Sequence, residues 1–348
     1  MKSLLQHYYA RTFPARQDVQ ITDLEELVAG WESDIFFFTA HYGPSYAREQ
    51  DNTVLRIYPG DDGLAKARRE YDLLRRLASS GYPVPLVYAL AAEDSPLGKP
   101  FIMMEQVPGV TMWRPLFHGD DSQAQDALLT QFCQLFVDLH RLDWRSIVDE
   151  PHRYEKGDPY LFVDREIGSI VNRLGAWRWL FCKLGFDKVL QHLRDHRHSV
   201  PSKRPSAVHW DFHPNNVLLR PDGAATVLDW TQGGISDERF DLGWTLALVD
   251  SQVSSVWRER ILHRYQELAG YSIDALDYFE SFACFKRLLV FAVTVHGGAR
   301  ALGLRPDLAQ HAARHLGSMQ RLYERQVELT GLRQAGLERL LDEGLPGG

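Results

Sequence analysis

The sequence has few cysteines and no long hydrophobic segment. Its 348 residues include three cysteines, Cys133, Cys182 and Cys284, which lie far apart. Their number and spacing fit neither a disulfide framework nor a zinc-ligand pattern, which favours a reducing compartment. The longest apolar run, 288–295, is much shorter than the roughly 20 residues of a membrane-spanning helix. Because the amino-terminal segment also lacks the hydrophobic core of a secretory signal, we expect a cytoplasmic protein with no membrane partner.

An excess of positive charge is also absent. The chain carries 39 Lys and Arg residues against 46 Asp and Glu residues, which gives a formal net charge of −7 at pH 7. A general nucleic-acid-binding protein needs a basic surface to neutralise phosphates, so we expect no nucleic-acid partner. Hydrophobic residues make up 45% and charged residues 24% of the chain, values that exclude a disordered or collagen-like protein. At roughly 150 residues per domain, the length favours about two domains.

The first part of the chain has the composition of short β-strands. Runs of β-branched and aromatic residues predict strands at 34–42, 53–58, 87–92 and 101–105. One helix is expected at 64–80, because its apolar residues recur at spacings of three and four. We therefore expect a small sheet with one helix in a first domain that covers residues 1–106.

The pattern changes to helices in the second part of the chain. The clearest helix is predicted at 125–142, and the pattern is helical again from Phe240 onward. Between them, short strands at 217–219 and 226–228 flank a turn and predict a β-hairpin. Together the two parts predict an α+β fold whose second domain, residues 107–348, is mainly helical.

Two polar motifs flank the predicted hairpin, His209-Trp-Asp-Phe-His-Pro-Asn-Asn before it and Val227-Leu-Asp-Trp after it. A hairpin folds back on itself, so Asn216 and Asp229 are expected at one place. Amide and carboxylate oxygens suit Mg²⁺, which also keeps water and phosphate oxygens, and the remaining carboxylate of Asp211 is left to take a proton. A chance match to His-x-Asp-x₄-Asn is expected about once in a hundred such chains, which disfavours an ordinary polar loop.

These motifs resemble those of the aminoglycoside phosphotransferase and choline kinase-like families, which are small-molecule kinases built on the protein-kinase fold. The resemblance covers residues 24–245. It implies a protein-kinase-like bilobal fold, with a small antiparallel-sheet N-lobe that has one helix and a larger, mainly helical C-lobe. It also implies that Asp211 is the catalytic base and that Asn216 and Asp229 are the metal ligands.

Several other polar residues match positions of these families. The resemblance implies that His209 anchors the catalytic loop, and that Asp241 in Phe240-Asp-Leu-Gly braces this loop through backbone N–H groups. His140, near the end of the long helix, is expected to satisfy a structural hydrogen bond. His213 occupies a position at which related kinases often have a basic residue that faces the γ-phosphate, and packing is the equal alternative.

A buried cation is expected in the strand Val54-Leu-Arg-Ile, which matches the strand that normally supplies a phosphate-binding lysine. Here the cation is Arg56, and Glu70 in the following helix matches its carboxylate partner. Arginine keeps its charge and can bind a carboxylate and a phosphate together, so the replacement preserves the electrostatics. The alternative is that Arg56 faces solvent and that Glu70 pairs with Lys66 one helical turn away.

The resemblance places the nucleotide-binding loop at Gly30-Trp-Glu-Ser-Asp-Ile, where Ser33 and nearby backbone N–H groups would contact phosphate oxygens. This loop has a single glycine, unlike the Gly-x-Gly-x-x-Gly of protein kinases. The segment from Phe101 to Gly109 resembles the hinge between the lobes. There the carbonyl of Glu105 and the N–H of Val107 would face the adenine, and Met104 would line the pocket, with a core position as its alternative.

The motifs and the resemblance together predict an ATP-dependent small-molecule O-phosphotransferase that uses ATP and Mg²⁺. Only 11 residues separate Asp229 from Asp241. Protein kinases have a longer activation segment here, with a docking platform for a peptide. The expected acceptor is therefore a small molecule with a hydroxyl group.

Neither the acceptor nor the oligomeric state follows from the sequence. Aminoglycosides are polycations and require carboxylates, yet residues 231–348 contain 15 acidic and 13 basic residues. A choline-like amine requires an aromatic cage, and aromatic residues in a helical lobe are mostly core. A nucleotide-binding pseudokinase or partner-recognition module without transfer activity is the alternative function. A metal-dependent hydrolase is disfavoured, because no His-rich ligand set is present.

Overall fold

The computed structural model describes residues 1–27, 33–93, 95–155, 157–298 and 315–343. Its helices and strands group into two units according to their packing. The first unit comprises Met1–Thr111 and Asn216–Gly233, and the second comprises Met112–Asn215 and Gly234–Gly348.

The bounds of the helices and strands follow in chain order. The strands are β1 (Gln20–Leu27), β2 (Asp34–Tyr42), β3 (Glu49–Ile57), β4 (Val87–Ala91), β5 (Phe101–Glu105), β6 (Val110–Thr111), β7 (Ser206–Val208), β8 (Val217–Leu219), β9 (Ala225–Val227) and β10 (Gly234–Ser236). The helices are α1 (Lys2–Thr12), α2 (Gly63–Ser79), α3 (Trp113–His118), α4 (Ser122–Arg141), α5 (Leu161–Leu174), α6 (Arg178–Leu184), α7 (Phe186–His196), α8 (Glu238–Gln252), α9 (Ser255–Ala269), α10 (Leu276–Val293), α11 (Leu316–Thr330) and α12 (Ala335–Glu343).

The first unit is built on a five-stranded antiparallel sheet with the strand order β1-β2-β3-β5-β4. The central strand, β3, pairs with β2 on one side and with β5 on the other, so residues near its end are shielded along both edges. Arg56 is one of them, and it lies opposite Ile35 of β2 and Ile102 of β5. The sheet thus places a guanidinium group in a largely apolar setting.

The helix α1 packs on this sheet through a single apolar stripe. Leu5, Tyr8 and Tyr9 are buried and share a core with Phe38 and Phe101. The rings of Tyr8 and Phe101 meet edge-on, with centroids 5.1 Å apart. The sequence predicted one helix in this domain and did not predict α1. The stripe spans little more than one turn, which is too short for its period to stand out.

The helix α2 is the one that the sequence predicted. Its buried face includes Ala67, Leu73, Leu74 and Leu77, which follow helical spacing. The same face carries Glu70, which is 2% exposed. A buried carboxylate destabilises a protein unless it is paired. Glu70 is therefore expected to have hydrogen-bond or ion-pair partners.

Residues 216–233 pack with the first unit and form the predicted hairpin. The strands β8 and β9 pair with each other, and β6 completes a three-stranded sheet. The N–H of Arg220 donates to the carbonyl of Ala224 at 2.8 Å and closes the turn. The N–H of Val227 donates to the carbonyl of Pro83 at 2.8 Å, which ties the hairpin to the segment before β4.

The second unit is mainly helical. Within it, α8 packs against α9, α10 and α11, while α4 packs against α9. Aromatic side chains fill the interior: Phe136 stacks on Phe212 with ring centroids 4.1 Å apart, and Phe240 meets Phe279 edge-on at 4.8 Å. At Gly243 of α8, a Cβ atom would lie 2.8 Å from the backbone carbon of Phe279. The absence of a side chain there lets α8 and α10 approach closely.

The predicted α+β fold, with an antiparallel sheet before a mainly helical region, is confirmed. The bounds of β2, β5 and β8 are those expected from the sequence, and α4 begins three residues before its predicted start. The two-stranded sheet of β7 and β10 was not predicted. Its strands have three residues each, too few to show an alternating pattern. Across the described ranges, no helix combines the length and apolarity that crossing a membrane requires.

Candidate functional site

In the first unit, Arg56 connects three of the predicted site residues. Its Nε donates to the hydroxyl of Ser33 at 2.8 Å, and its Nη1 donates to Oε1 of Glu70 at 3.0 Å. Its Nη2 donates to Oδ1 of Asp229 at 2.9 Å. The three nitrogens of one guanidinium therefore hold residues that are distant in the sequence, as the planar fork of arginine allows.

Burial and charge determine the ionisation of this cluster. Arg56 is only 8% exposed. Burial alone would lower its pKa, but the charges of Glu70 and Asp229 outweigh burial and raise the pKa above the ordinary arginine value. The second oxygen of Glu70 accepts a hydrogen bond from Tyr58 at 2.6 Å. Burial, together with the charge of Glu70, raises the pKa of the Tyr58 hydroxyl, which remains a donor at neutral pH.

The alternative environment proposed for Arg56 is wrong, because this residue is buried rather than solvent-facing. Lys66, the other candidate partner for Glu70, lies with its ammonium group 3.0 Å from Oδ2 of Asp62. An interrupting charge in an apolar strand was therefore the correct signal for a buried ion pair.

The hairpin brings Asn216 and Asp229 to the same end. The carbonyl of Asn216 accepts a hydrogen bond from the N–H of Leu228 at 2.7 Å, so the backbone before β8 lies beside the residue that precedes Asp229. Asp229 has φ +61°, an uncommon conformation for a residue with a side chain, and its side chain is 42% exposed. Thr231 donates to Oδ1 of Asp229 at 3.1 Å. The buried Trp230 donates from its indole N–H to the carbonyl of Val227 at 3.0 Å and fixes this bend.

The predicted adenine contacts also belong to the first unit. Met104 and Val107 are buried, and Met104 pairs with Val54 across the sheet. The carboxylate of Glu105 accepts a hydrogen bond from Arg220 at 2.7 Å, while its backbone N–H donates to the carbonyl of Leu86 at 2.8 Å. These contacts position the end of β5, whereas contact with an adenine stays a prediction.

The chain turns sharply after this segment, and the predicted nucleotide loop is described only in part. At Gly109, where φ is +154°, a Cβ atom would lie 2.3 Å from the carbonyl oxygen of Leu219. Only glycine fits this approach. Of the predicted loop, residues 30–32 lie outside the described residues. Ser33 is described, and its hydroxyl is buried against Arg56, so its contact with a phosphate stays a prediction.

In the second unit, Asp241 braces the predicted catalytic loop through backbone N–H groups, as expected. Its Oδ2 accepts a hydrogen bond from the backbone N–H of His209 at 2.6 Å, and its Oδ1 accepts one from the N–H of Trp210 at 2.8 Å. Trp210 has φ +68°, so this buried carboxylate holds the backbone in a strained conformation. His140 binds the Tyr265 hydroxyl through Nδ1 at 2.7 Å. Its predicted structural role is confirmed.

The predicted base, Asp211, lies in the loop that Asp241 holds. Its Oδ1 accepts a hydrogen bond from the indole N–H of Trp244 at 2.8 Å, and its Oδ2 lies 3.3 Å from Nε2 of His213. Desolvation by the surrounding protein raises the pKa of Asp211, but His213, Arg287 and the Trp244 hydrogen bond outweigh it and bring the pKa below the ordinary aspartate value. The carboxylate is therefore ionised at neutral pH.

The structure gives His213 two contacts. Besides facing Asp211, its ring meets the ring of Trp113 edge-on, with centroids 6.5 Å apart. His213 is thus packed against an aromatic ring, as the packing alternative expects. Its contact with the γ-phosphate stays a prediction.

Sequence reasoning missed three residues around Asp211, namely Trp244 of α8 and the neighbouring Lys286 and Arg287 of α10. The guanidinium carbon of Arg287 lies 4.7 Å from the centre of the Trp244 ring, and the ammonium nitrogen of Lys286 lies 5.4 Å from it. A signal was available, since Lys286-Arg287 interrupts a long apolar helix. Its meaning depends on the close approach of α8 and α10, which no local pattern reveals.

Comparison with solved structures identifies the fold. A Ralstonia eutropha JMP134 protein assigned to the aminoglycoside phosphotransferases is 18% identical, with a TM-score of 0.66 over 99% of this chain and 98% of that chain. The streptomycin–ATP–APH(2″)-IIa ternary complex is 16% identical, with a TM-score of 0.58 over 95% and 98% of the two chains. Spectinomycin phosphotransferase APH(9)-Ia, solved with ADP and spectinomycin, is 13% identical, with a TM-score of 0.54 over 96% and 98%. These similarities confirm the predicted kinase-like fold.

Curated relatives match a shorter segment. Acyl-CoA dehydrogenase family member 10 of Mus musculus is 26% identical over 197 residues, which are 55% of this chain and 18% of that protein. Acyl-CoA dehydrogenase family member 11 of Pongo abelii is 23% identical over 208 residues, or 54% and 24% of the two chains. The matched segments cover less than a quarter of these relatives.

A family model for a phosphotransferase enzyme family, APH, matches residues 23–276. The match begins in β1 and ends at the first residue of α10, so it includes the Arg56 cluster, the hairpin, the catalytic loop and the bracing residue Asp241. Because this match spans most of the sequence, the chain belongs to the APH phosphotransferase enzyme family.

Proposed function

We propose that the protein is an ATP-dependent O-phosphotransferase that moves the γ-phosphate of ATP to a hydroxyl group of a small molecule. In this reaction a bond forms between the acceptor oxygen and the γ-phosphorus, and the bond from that phosphorus to the β–γ bridging oxygen breaks. The acceptor proton passes to a base and ADP leaves. Membership of a phosphotransferase family supports the reaction, and the ATP and ADP complexes of similar structures support the nucleotide.

The proposal is carried by the environment of Asp211. A general base must be ionised and within reach of the acceptor proton. The lowered pKa of Asp211 supports the first condition, and a side chain that is 37% exposed is open to an acceptor from solvent. Asp211 is accordingly proposed to orient the acceptor hydroxyl and to receive its proton.

The Arg56 cluster supports a role in holding the nucleotide. Arg56 would bind the α- and β-phosphates, Glu70 would fix its guanidinium, and Ser33 would contribute a phosphate contact. Met104, Glu105 and Val107 would bind the adenine. In the same proposal, residues 1–106 form the nucleotide-binding domain, and residues 107–348 provide the catalytic loop and the acceptor pocket.

Asn216 and Asp229, at the base of the hairpin, are proposed to hold a magnesium ion. Asn216 and Asp229 offer an amide and a carboxylate oxygen on backbone segments that the hairpin brings together. Within the described part of the chain, no three His, Cys, Asp or Glu side chains cluster as metal ligands. Mg²⁺ takes few protein ligands, and when bound it would supply charge neutralisation to the phosphates. His213 would contact the transferred phosphate.

One observation favours a second candidate, a nucleotide-binding module without transfer activity. The proposed metal ligand Asp229 shares one carboxylate oxygen with Arg56 and Thr231. A carboxylate engaged in this way binds a cation less strongly. In this candidate the protein would bind ATP without Mg²⁺ and would consume none.

A turnover assay with two variants separates the candidates. ATP consumption is measured across a panel of hydroxyl compounds, with and without Mg²⁺, and ATP binding is measured by thermal shift. We expect Asp211→Asn to abolish Mg²⁺-dependent turnover and to retain ATP binding. The control is Asp342→Asn, because Asp342 is an exposed residue of α12. Turnover retained by Asp211→Asn would contradict the assignment, and Mg²⁺-independent binding without any turnover would support the second candidate.

A further inference from the structure

Beside the proposed base, two basic side chains of the second unit pack on tryptophan rings. Arg287 lies over Trp244, the residue that donates to Asp211, and Lys286 lies 4.6 Å from the ring centre of Trp210. The close approach of α8 and α10 at Gly243 supports this arrangement. Both basic residues therefore lie on the part of α10 that packs beside the catalytic loop.

The other buried or half-buried arginines of this region have carboxylate partners. Arg258 and Arg325 both bind the carboxylate of Glu280, which is fully buried. Arg287 differs from them. Among the residues that the structure describes, no carboxylate lies within ion-pair distance of its guanidinium, and its Nε is buried without a hydrogen-bond partner.

An unpaired guanidinium in this position is costly for the folded protein. Burial lowers the pKa of Arg287, and the charge of Asp211 only partly opposes this effect. A buried donor without a hydrogen-bond partner destabilises the folded protein. The Nε donor of Arg287 has no hydrogen-bond partner among the described residues, although the guanidinium lies next to the base.

We propose that Arg287 binds an anionic group of the phosphate acceptor, so that the acceptor is a hydroxyl compound bearing a carboxylate or a phosphate. This inference rests on the proposed function and narrows its substrate class. A guanidinium matches both anions through its planar fork of donors, and the Trp244 face fixes its orientation. The anion would be anchored at Arg287 while the acceptor hydroxyl faces Asp211.

The charges around Asp211 also act against a polycationic acceptor. Arg287 places positive charge beside the base, and the carboxylate of Asp241 already accepts hydrogen bonds from two backbone N–H groups. An aminoglycoside would meet positive charge where it requires negative charge. Specificity would come as much from this repulsion as from the attraction of Arg287 for an anion.

Two matched series of compounds test the inference. The first consists of glycerate, glycerol 3-phosphate, glycerol and 3-amino-1,2-propanediol, and the second consists of gluconate, glucose 6-phosphate, glucose and glucosamine. Binding is measured by calorimetry with a non-hydrolysable ATP analogue present, and ATP consumption is measured separately. We expect the acid or the phosphate of at least one series to bind about tenfold or more tightly than its neutral analogue, and the amine to bind most weakly. The carboxylate and phosphate arms distinguish the two anions.

Variants of Arg287 test whether this residue causes the preference for an anion. Arg287→Gln should remove the preference for the anion while binding of the neutral analogue stays the same, and Arg287→Lys should retain part of it. The control is Arg339→Gln, because Arg339 is exposed on α12. If Arg287→Gln fails to fold, the anion preference of Arg287→Lys still tests the inference.

The measurements distinguish failure of the proposed acceptor site from failure of the proposed phosphate transfer. Anion binding that depends on Arg287 but without ATP consumption would support the acceptor site and contradict the proposed transfer. Turnover with neutral or cationic compounds, together with no anion preference, would overturn the inference and support the transfer. If neither series shows tighter binding of its anionic members, the inference is wrong whatever the turnover.

Discussion

Arg56 and Asp229 are separated by 173 positions in the sequence and are joined by a hydrogen bond of 2.9 Å. The same guanidinium also holds the buried Glu70. A lysine at this position would have a single nitrogen, so it could not donate to these partners from separate nitrogens. The substitution of arginine in this chain therefore gives a cation that binds both carboxylates at once.

Removal of the Arg56 charge tests this arrangement. Arg56→Met should destabilise the protein by roughly 3–5 kcal/mol, because Glu70 would remain buried without its cation. The free energy of unfolding is measured by urea denaturation. Adding Glu70→Gln to this variant should cost less than the sum of the two single changes, since no buried charge would then remain unpaired. Strict additivity would show that the two residues do not stabilise each other.

Asp241 is predicted to act through the backbone of the catalytic loop. Asp241→Asn keeps the size of the side chain but removes the charge that holds the N–H groups of His209 and Trp210. We expect a loss of about 1.5–3 kcal/mol in the free energy of unfolding, the value typical of hydrogen bonds to a charged group. Because Trp210 has φ +68°, the loop should also relax. A displacement of about 1 Å at the base corresponds to roughly a 100-fold loss of turnover.

The measurement that checks this role compares turnover with ATP binding. Turnover should fall in Asp241→Asn while the thermal shift caused by ATP is kept, because the hydrogen bonds of the Asp241 carboxylate go to the loop of the second unit and to His140 of α4. Asp342→Asn again serves as the control. Equal losses of ATP binding and turnover would instead indicate general unfolding.

The pH dependence of turnover should change when His213 is replaced. The folded pKa of Asp211 is lowered, with His213 as the leading favourable contributor. The ionised form thus stabilises the fold above the ordinary aspartate pKa, and this contribution is lost as the pH falls through the lowered value. His213→Gln should raise the folded pKa, so the acidic limb of the turnover profile should move to higher pH. His263→Gln is the control, because His263 is 74% exposed. An unmoved limb would contradict the role of His213.

Much of this site was predictable because its residues follow one another in the chain. The catalytic loop, the hairpin and the aspartate after it form one continuous segment, so their spacing alone indicates that Asn216 and Asp229 meet. Arg56 was recognisable as a charge in an apolar strand, and β3 at the centre of the sheet explains its burial. Local patterns suffice where the environment of a residue is set by a hairpin or by a central strand of a sheet.

The parts of the site that were not predicted depend on packing between helices that are distant in the sequence. Trp244 and Arg287 contact each other only because α8 and α10 cross closely at Gly243. The sequence shows an aromatic residue and a basic pair in two helices, a pattern equally typical of a core and of a solvated face. The helix α1 was missed for a related reason, since its short stripe gains stability from the sheet and not from its own pattern.

Two substitutions at Asp229 separate the effect of its charge from the effect of its backbone conformation. With φ +61°, this position is accessible to asparagine more readily than to alanine, because short polar side chains tolerate the left-handed region. Asp229→Asn should keep the fold and lose Mg²⁺-dependent turnover. Asp229→Ala should lose the same activity and about 1 kcal/mol more stability. Unfolding in urea and ATP consumption over a Mg²⁺ titration measure the two effects. If Asp229→Asn responds to Mg²⁺ as the unmodified protein does, the carboxylate is not a metal ligand and serves only to hold Arg56.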